Sequence, residues 1–271
     1  MSIGKIVFYS IVVCVIFLVV DYLRTRNETR KAKLIEFPKE WLLYLKQNVP
    51  IYNRLPDYLK MQLQHRVRVF IEEKAFEACG GLDEVTEEMQ VTIAGHACLL
   101  LLNKDRPYYL LLGTVIVYPE DYWAGDDGSG FVDEVRSGES WREGTVVLAW
   151  DEVKRSARDV RDGKNLAIHE FAHQIDEEGG DSEGLPKLEK RSAYPAWARV
   201  FSEQFDDLKG MIERGEDADL DEYGAESPAE FFAVATESFF EKPERLRSTR
   251  PKLYEQLRFF YKVDPVKWAK A

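Results

Sequence analysis

Apolar residues recur at helical spacing through Leu59, Leu63, Val67, Phe70 and Ile71, and this run, opened by Pro56, predicts a helix to about Lys74. Pro38 sits at the first turn of an earlier helix through Gln47. A Gly80-Gly81 turn follows, and Thr86 caps a helix that carries Met89, Ile93, Ala97, Leu100 and Leu101. The pattern then changes. Residues 108–118 are aromatic and β-branched and end at Pro119, and residues 131–135 and 144–150 are two further short strand candidates. Beyond Asp151 the periodicity is helical to the end, with breaks near Asp162-Gly163, between Gly179 and Gly184, between Gly215 and Gly224, and at Pro243. A small sheet followed by helices is an α+β pattern. No internal repeat or long Ser/Gly linker interrupts residues 35–271, which read as one domain.

The first residues follow a different rule. Residues 6–20 are uncharged and span about 22 Å as a helix; residues 3–23 reach about 31 Å, enough to cross a bilayer, with Lys5 and Asp21 at the ends. Residues 1–23 are therefore expected to be one transmembrane helix and 24–34 a basic juxtamembrane segment, with Arg24, Arg26, Arg30, Lys31 and Lys33. Cations on that side place the following domain in the cytoplasm, so the chain reads as a single-pass protein of the inner (cytoplasmic) membrane. The competing reading is a signal peptide that releases a periplasmic enzyme. The bulky residues 19–23 lack the small-x-small pattern such cleavage needs.

Charge narrows the partners. The 271 residues carry a net charge of −11, which argues against nucleic acid as a ligand held by bulk charge. Three cysteines, Cys14, Cys79 and Cys98, are too few for a disulfide scaffold and point to a reducing compartment.

The chemistry concentrates in residues 165–176, NLAIHEFAHQID, where His169, Glu170 and His173 form H-E-x-x-H. On a helix, positions four apart share a face, so both imidazoles point at one ion. Neutral imidazole suits Zn²⁺, and Glu170 is placed to act as general base toward a water at that ion. Leu166, Ile168, Phe171, Ala172 and Ile175 surround the motif and predict a buried helix. His65, beside two arginines, reads as a solvated helix position, and His96, in an apolar run, as a hydrogen-bonded core histidine.

A catalytic zinc needs a third protein ligand. Asp176 lies one turn beyond His173 on the same face and suits a contact with an imidazole N–H rather than the ion. Glu230 lies in GAESPAEFF, residues 224–232, where Ser227 reads as an N-cap and Pro228 as the first helical residue. From the residues alone, Glu230 is equally a capping-box partner of Ser227 or a metal ligand. Glu237, two turns on, is either an outer-sphere group or a surface charge.

The motif HEFAHQID, followed by Tyr223 and then SPAEFFAVATESFF at 227–240, resembles the zinc-dependent peptidases related to Mlc titration factor A. The resemblance runs from about Phe37 to Val263 and takes in ACLLLL at 97–102, VYP at 117–119 and VLAWDEV at 147–153. It implies a zincin-like domain holding one Zn²⁺ on His169, His173 and Glu230, with Glu170 as the catalytic glutamate. The family's site also resembles that of the anthrax lethal factor catalytic domain, and by that analogy Tyr223 donates a hydrogen bond to the oxyanion. The resemblance further implies peptide hydrolysis, including aminopeptidase-type activity, and binding of a glucose-regulated transcriptional repressor. Two expectations follow: a membrane-tethered zinc peptidase acting on peptide or protein substrates, in which the 144–150 strand pairs with an extended substrate; or a tethered binding protein that sequesters a transcriptional regulator, its zinc structural or vestigial.

Overall fold

The structure is a computed structural model that describes residues 36–104, 109–124, 134–136, 138–141, 144–180 and 183–268. The expected transmembrane helix and basic segment lie outside the described residues. Among the described residues no helix is long and apolar enough to cross a membrane. Everything below concerns the compact unit Lys39–Ala271.

Three helices open this unit: α1 (Lys39–Asn48), α2 (Pro50–Arg54) and α3 (Asp57–Glu73). Strand β1 (Ala75–Ala78) leads to α4 (Glu87–Leu99), which Thr86 caps by accepting a hydrogen bond from Met89 N–H. From Val91 to Leu99 every residue of α4 is buried, as expected of a helix apolar on all sides. Gly95 is where α1 crosses it: a Cβ there would stand 2.8 Å from both Leu45 and Val49.

Strands β2 (Thr114–Tyr118), β5 (Gly138–Trp141) and β6 (Thr145–Ala149) complete a four-stranded sheet in the order β1-β2-β6-β5. The first three run parallel, and β5 lies antiparallel at the edge, with Gly138 opposite Leu148 and Trp141 opposite Thr145. Strands β3 (Tyr122–Ala124) and β4 (Glu134–Arg136) form a separate antiparallel pair.

Several strand expectations need correction. Of the 108–118 run, the described residues 109–118 are strand only from Thr114. Before it, Tyr109 takes φ +60°, the Lys74 ammonium binds the Tyr109 and Leu112 carbonyls, and Leu110 and Leu111 face solvent. Carbonyls held by a lysine do not extend a ladder. The 144–150 strand is not an edge, because β5 covers it, and Trp150 already begins a helix. Strands β1, β3 and β5 are too short for their composition to announce them.

The remaining chain is helical: α5 (Trp150–Arg158), α6 (Leu166–Glu177), α7 (Tyr194–Glu213), α8 (Pro228–Glu241), α9 (Pro243–Thr249) and α10 (Pro251–Tyr261). Helix α6 lies between the sheet and α8 and packs along both β5 and α8. Its buried face is fixed by Phe171, whose ring meets Phe70 and Tyr109 at 5.7 and 5.3 Å. A second aromatic cluster, Trp197 stacked on Phe201 with Phe232 and Phe260 beside them, joins α7, α8 and α10. These two clusters hold the helices that carry the site.

His96 is fully buried, and its Nε2 lies 3.1 Å from the Asn48 carbonyl. Burial pushes its pKa down to about 4, so the folded state keeps it neutral. His65 is half-buried rather than solvated. Because the unfolded chain protonates His96 at an ordinary imidazole pKa near ~6.5, stability contributed by its neutrality is present at neutral pH and lost as pH falls from there to about 4. At 1.36 kcal/mol per pH unit the loss is on the order of 3 kcal/mol. Denaturant unfolding at stepped pH checks this: a His96→Gln variant is expected to lose that much less stability than wild type between the two pH values.

Candidate metal centre and active site

Helix α6 starts where Asn165 takes an extended conformation and its Oδ1 accepts from Ile168 N–H at 3.1 Å. The helical repeat then turns Ile168, Phe171, Ala172 and Ile175 into the core and leaves His169 and His173 toward α8. Helix α8 starts with Ser227 as N-cap, whose Oγ accepts from Glu230 N–H at 3.2 Å, and with Pro228 in its first turn. The Glu230 carboxylate does not return to Ser227. It reaches the two histidines.

Three donor atoms converge there. His169 Nε2 lies 3.0 Å from Glu230 Oε2 and 3.1 Å from His173 Nε2, and His173 Nε2 lies 3.3 Å from the same carboxylate oxygen. A tetrahedral ion with donors at roughly 2.0–2.1 Å spaces them about 3.3 Å apart. The other nitrogen of His169, Nδ1, lies 2.8 Å from Glu237 Oε1. A carboxylate at Nδ1 is the usual outer partner of a metal-bound imidazole and leaves Nε2 free to meet an ion together with His173 Nε2 and Glu230 Oε2. The donor set therefore fits a divalent ion such as Zn²⁺. Among the described residues, His169, His173 and Glu230 form the one such group.

The local electrostatics follow from this crowding. Burial opposes the imidazolium of His169, but the Glu230 and Glu237 carboxylates at its two nitrogens outweigh it and push the pKa well up. Burial likewise works to raise Glu230, and the two histidines overcome it, holding the carboxyl down to about 2. Glu170 differs. It is buried, burial raises its pKa above the usual carboxylate range, and the nearby histidines only partly offset that. A carboxylate raised in this way is the better proton acceptor.

Glu170 rests on backbone. A Cβ at Gly138 of edge strand β5 would stand 2.6 Å from Glu170 Oε1 and 2.7 Å from Leu166 Cδ1. Only glycine leaves room for that carboxylate. Gly138→Ala is expected to displace Glu170 and lower any turnover that depends on this carboxylate roughly 100-fold, since misplacement by about 1 Å costs that much, while metal content stays unchanged. Turnover measured beside metal analysis checks this; normal turnover would mean that the carboxylate has another place to go.

Tyr223 lies in a 3₁₀ turn at Glu222–Ala225, its ring 5.9 Å from that of His169 and its side chain about half exposed. The turn is fixed by Asp221, which accepts from Tyr223 N–H at 2.9 Å and is ion-paired with Lys164 just before α6. Glu237 is no surface charge: it is buried and holds His169. Asp176 departs from the expectation of an imidazole contact. Its Oδ2 accepts from Gly184 N–H at 2.8 Å, so it secures the loop after α6 instead. That loop meets the start of α8, where a Cβ at Gly184 would stand 2.3 Å from the Pro228 carbonyl oxygen. Gly138, Lys164 and Asp221 carry no motif and escape a reading of the sequence alone; their roles depend on contacts distant along the chain.

Residues 23–262 match the family described as glucose-regulated metallo-peptidase M90. The chain is 36% identical to an uncharacterized protein of Synechocystis over 236 residues, 84% of this chain and 86% of the relative. It is 34% identical to Mlc titration factor A of Serratia proteamaculans over 229 residues, 80% of this chain and 85% of the relative. It is 31% identical to Mlc titration factor A of Yersinia pestis over 228 residues, 81% of this chain and 83% of the relative.

Proposed function

This chain belongs to the glucose-regulated metallo-peptidase M90 family, and we propose on that footing that it is a zinc-dependent peptidase. The observation that carries the reading is the convergence of His169 Nε2, His173 Nε2 and Glu230 Oε2 beside a buried glutamate that takes no part in the set. His169, His173 and Glu230 hold the ion. When bound, Zn²⁺ supplies Lewis acidity, polarising a carbonyl and acidifying water.

The chain's own groups do the rest. Glu170, its pKa raised by burial, takes the proton of the attacking water and returns it to the leaving amine. Tyr223 donates to the developing oxyanion, a contact of this kind being worth roughly 3 kcal/mol. Glu237 fixes the ring of His169 through Nδ1. Strand β5, the edge of the sheet beside α6, offers its backbone to an extended peptide. Aminopeptidase-type action and attachment to the cytoplasmic face of the inner membrane through residues 3–23 belong to the same proposal.

A second reading is supported by the name its relatives carry, Mlc titration factor A: the protein also holds a transcriptional regulator. The two roles are compatible. The test is incubation of the zinc-loaded chain with a diverse peptide pool, with products read by mass spectrometry. Cleavage that a chelator stops is expected, and trimmed ends would identify exopeptidase action. Intact peptides with the ion bound would overturn the peptidase and leave the regulator-holding role.

A further inference from the structure

Behind the metal ligands lies a polar network of which the proposed chemistry uses Glu237 alone. Asn165 is buried, and each of its polar groups has a partner. Its Oδ1 accepts from Ile168 N–H and its carbonyl accepts from His169 N–H, the first bonds of α6. Its backbone N–H donates to Glu237 Oε2, the oxygen that Glu237 does not give to His169. Its side-chain amide donates to Glu241 Oε1 at 2.9 Å on α8 and lies 3.4 Å from His96 Nδ1 on α4.

The tautomers agree along this chain. His96 gives its Nε2–H to the Asn48 carbonyl, which leaves Nδ1 as an acceptor for the Asn165 amide. Glu237 and Glu241 are one turn apart on α8, and both bind Asn165, one through its backbone and one through its side chain. The side-chain amide thus pins the peptide N–H that in turn pins Glu237.

We infer that Asn165 is a positioning residue for the metal centre, setting the orientation of His169 through Glu237 while anchored by Glu241 and His96. The inference rests on the metal-centre reading above. It makes a distinction that simple capping does not. Serine is as good an N-cap as asparagine, so Asn165→Ser keeps the start of α6 and removes only the anchoring to Glu241 and His96.

The experiment measures Zn²⁺ affinity of the full chain by competition with a chromogenic chelator, beside denaturant unfolding. Asn165→Ser is expected to weaken affinity about ten- to hundred-fold, the range for outer-sphere partners of a metal ligand. Because Asn165 acts through Glu237, the double variant Asn165→Ser, Glu237→Gln is expected to bind as weakly as Glu237→Gln alone, not as the product of the two losses. A second variant covers a failure of Asn165→Ser to fold. Glu241 Oε2 is buried without a hydrogen-bond partner, so Glu241→Met removes an awkward buried carboxyl as well as the acceptor for Asn165. It is expected to lower Zn²⁺ affinity several-fold in a chain that denaturant unfolding shows to be still folded, a loss of affinity that a purely structural role does not produce. Wild-type affinity in both variants, or losses that simply multiply with Glu237→Gln, would overturn the inference while leaving the metal centre intact. A wild-type chain that takes up no ion would overturn both.

Discussion

Glu170→Gln is expected to leave the ion bound and to cut peptide hydrolysis by roughly 10²–10⁴-fold, the contribution typical of one positioned general base. The change is nearly isosteric, so the amide fits the same space against Gly138. It removes the only function a carboxylate has there, because Glu170 is absent from the converging donor set. Metal content and turnover, measured on one preparation, separate the outcomes. Full turnover in the variant would assign proton transfer to another group. Loss of metal together with turnover would instead make Glu170 a structural support of the site.

Glu230→Ala is the second large effect. Glu230 Oε2 is within 3.3 Å of both imidazole Nε2 atoms, and no other carboxylate among the described residues joins that group. Its loss leaves two neutral nitrogens, and affinity is expected to fall by more than the roughly 100-fold that outer-sphere changes cost. Ser227→Ala provides the contrast. It removes the cap on Glu230 N–H, costs about 1 kcal/mol of stability and leaves metal binding intact. Wild-type affinity in Glu230→Ala would return this residue to a capping role.

The contrast also explains what could be read from the chain. The alternatives for Glu230, cap or ligand, are not exclusive, because the cap uses its backbone N–H and the ligand uses its carboxylate. His169, Glu170 and His173 are legible because a four-residue spacing on one helix is local information. The buried helices are legible for the same reason: unbroken apolar runs such as Val91–Leu99 need a core. Asp176 shows the limit. Its spacing aims it at the histidines, yet a backbone N–H eight residues on takes one of its carboxylate oxygens and the other makes no hydrogen bond. Strand β5, with the sequence GESW, has no alternation to announce it and exists by pairing with β6. For the same reason the edge of the sheet lies one strand away from the 144–150 segment. Lysine 74 is the least legible, since its ammonium ends a strand that composition favours by binding two carbonyls more than thirty residues away.

The histidines and Glu230 come from two helices, α6 and α8, separated by all the chain between residues 173 and 230. An ion held by both is a fastening as well as a reagent: it ties together the ends of a long loop that is free in the unfolded chain. Free zinc at a hundred times its Kd adds about 2.7 kcal/mol to the folded state. For a protein of ordinary marginal stability that is a large share. The lifetime of the protein in the cell then follows metal supply. A chain starved of its ion opens more often and becomes prey to cellular proteases.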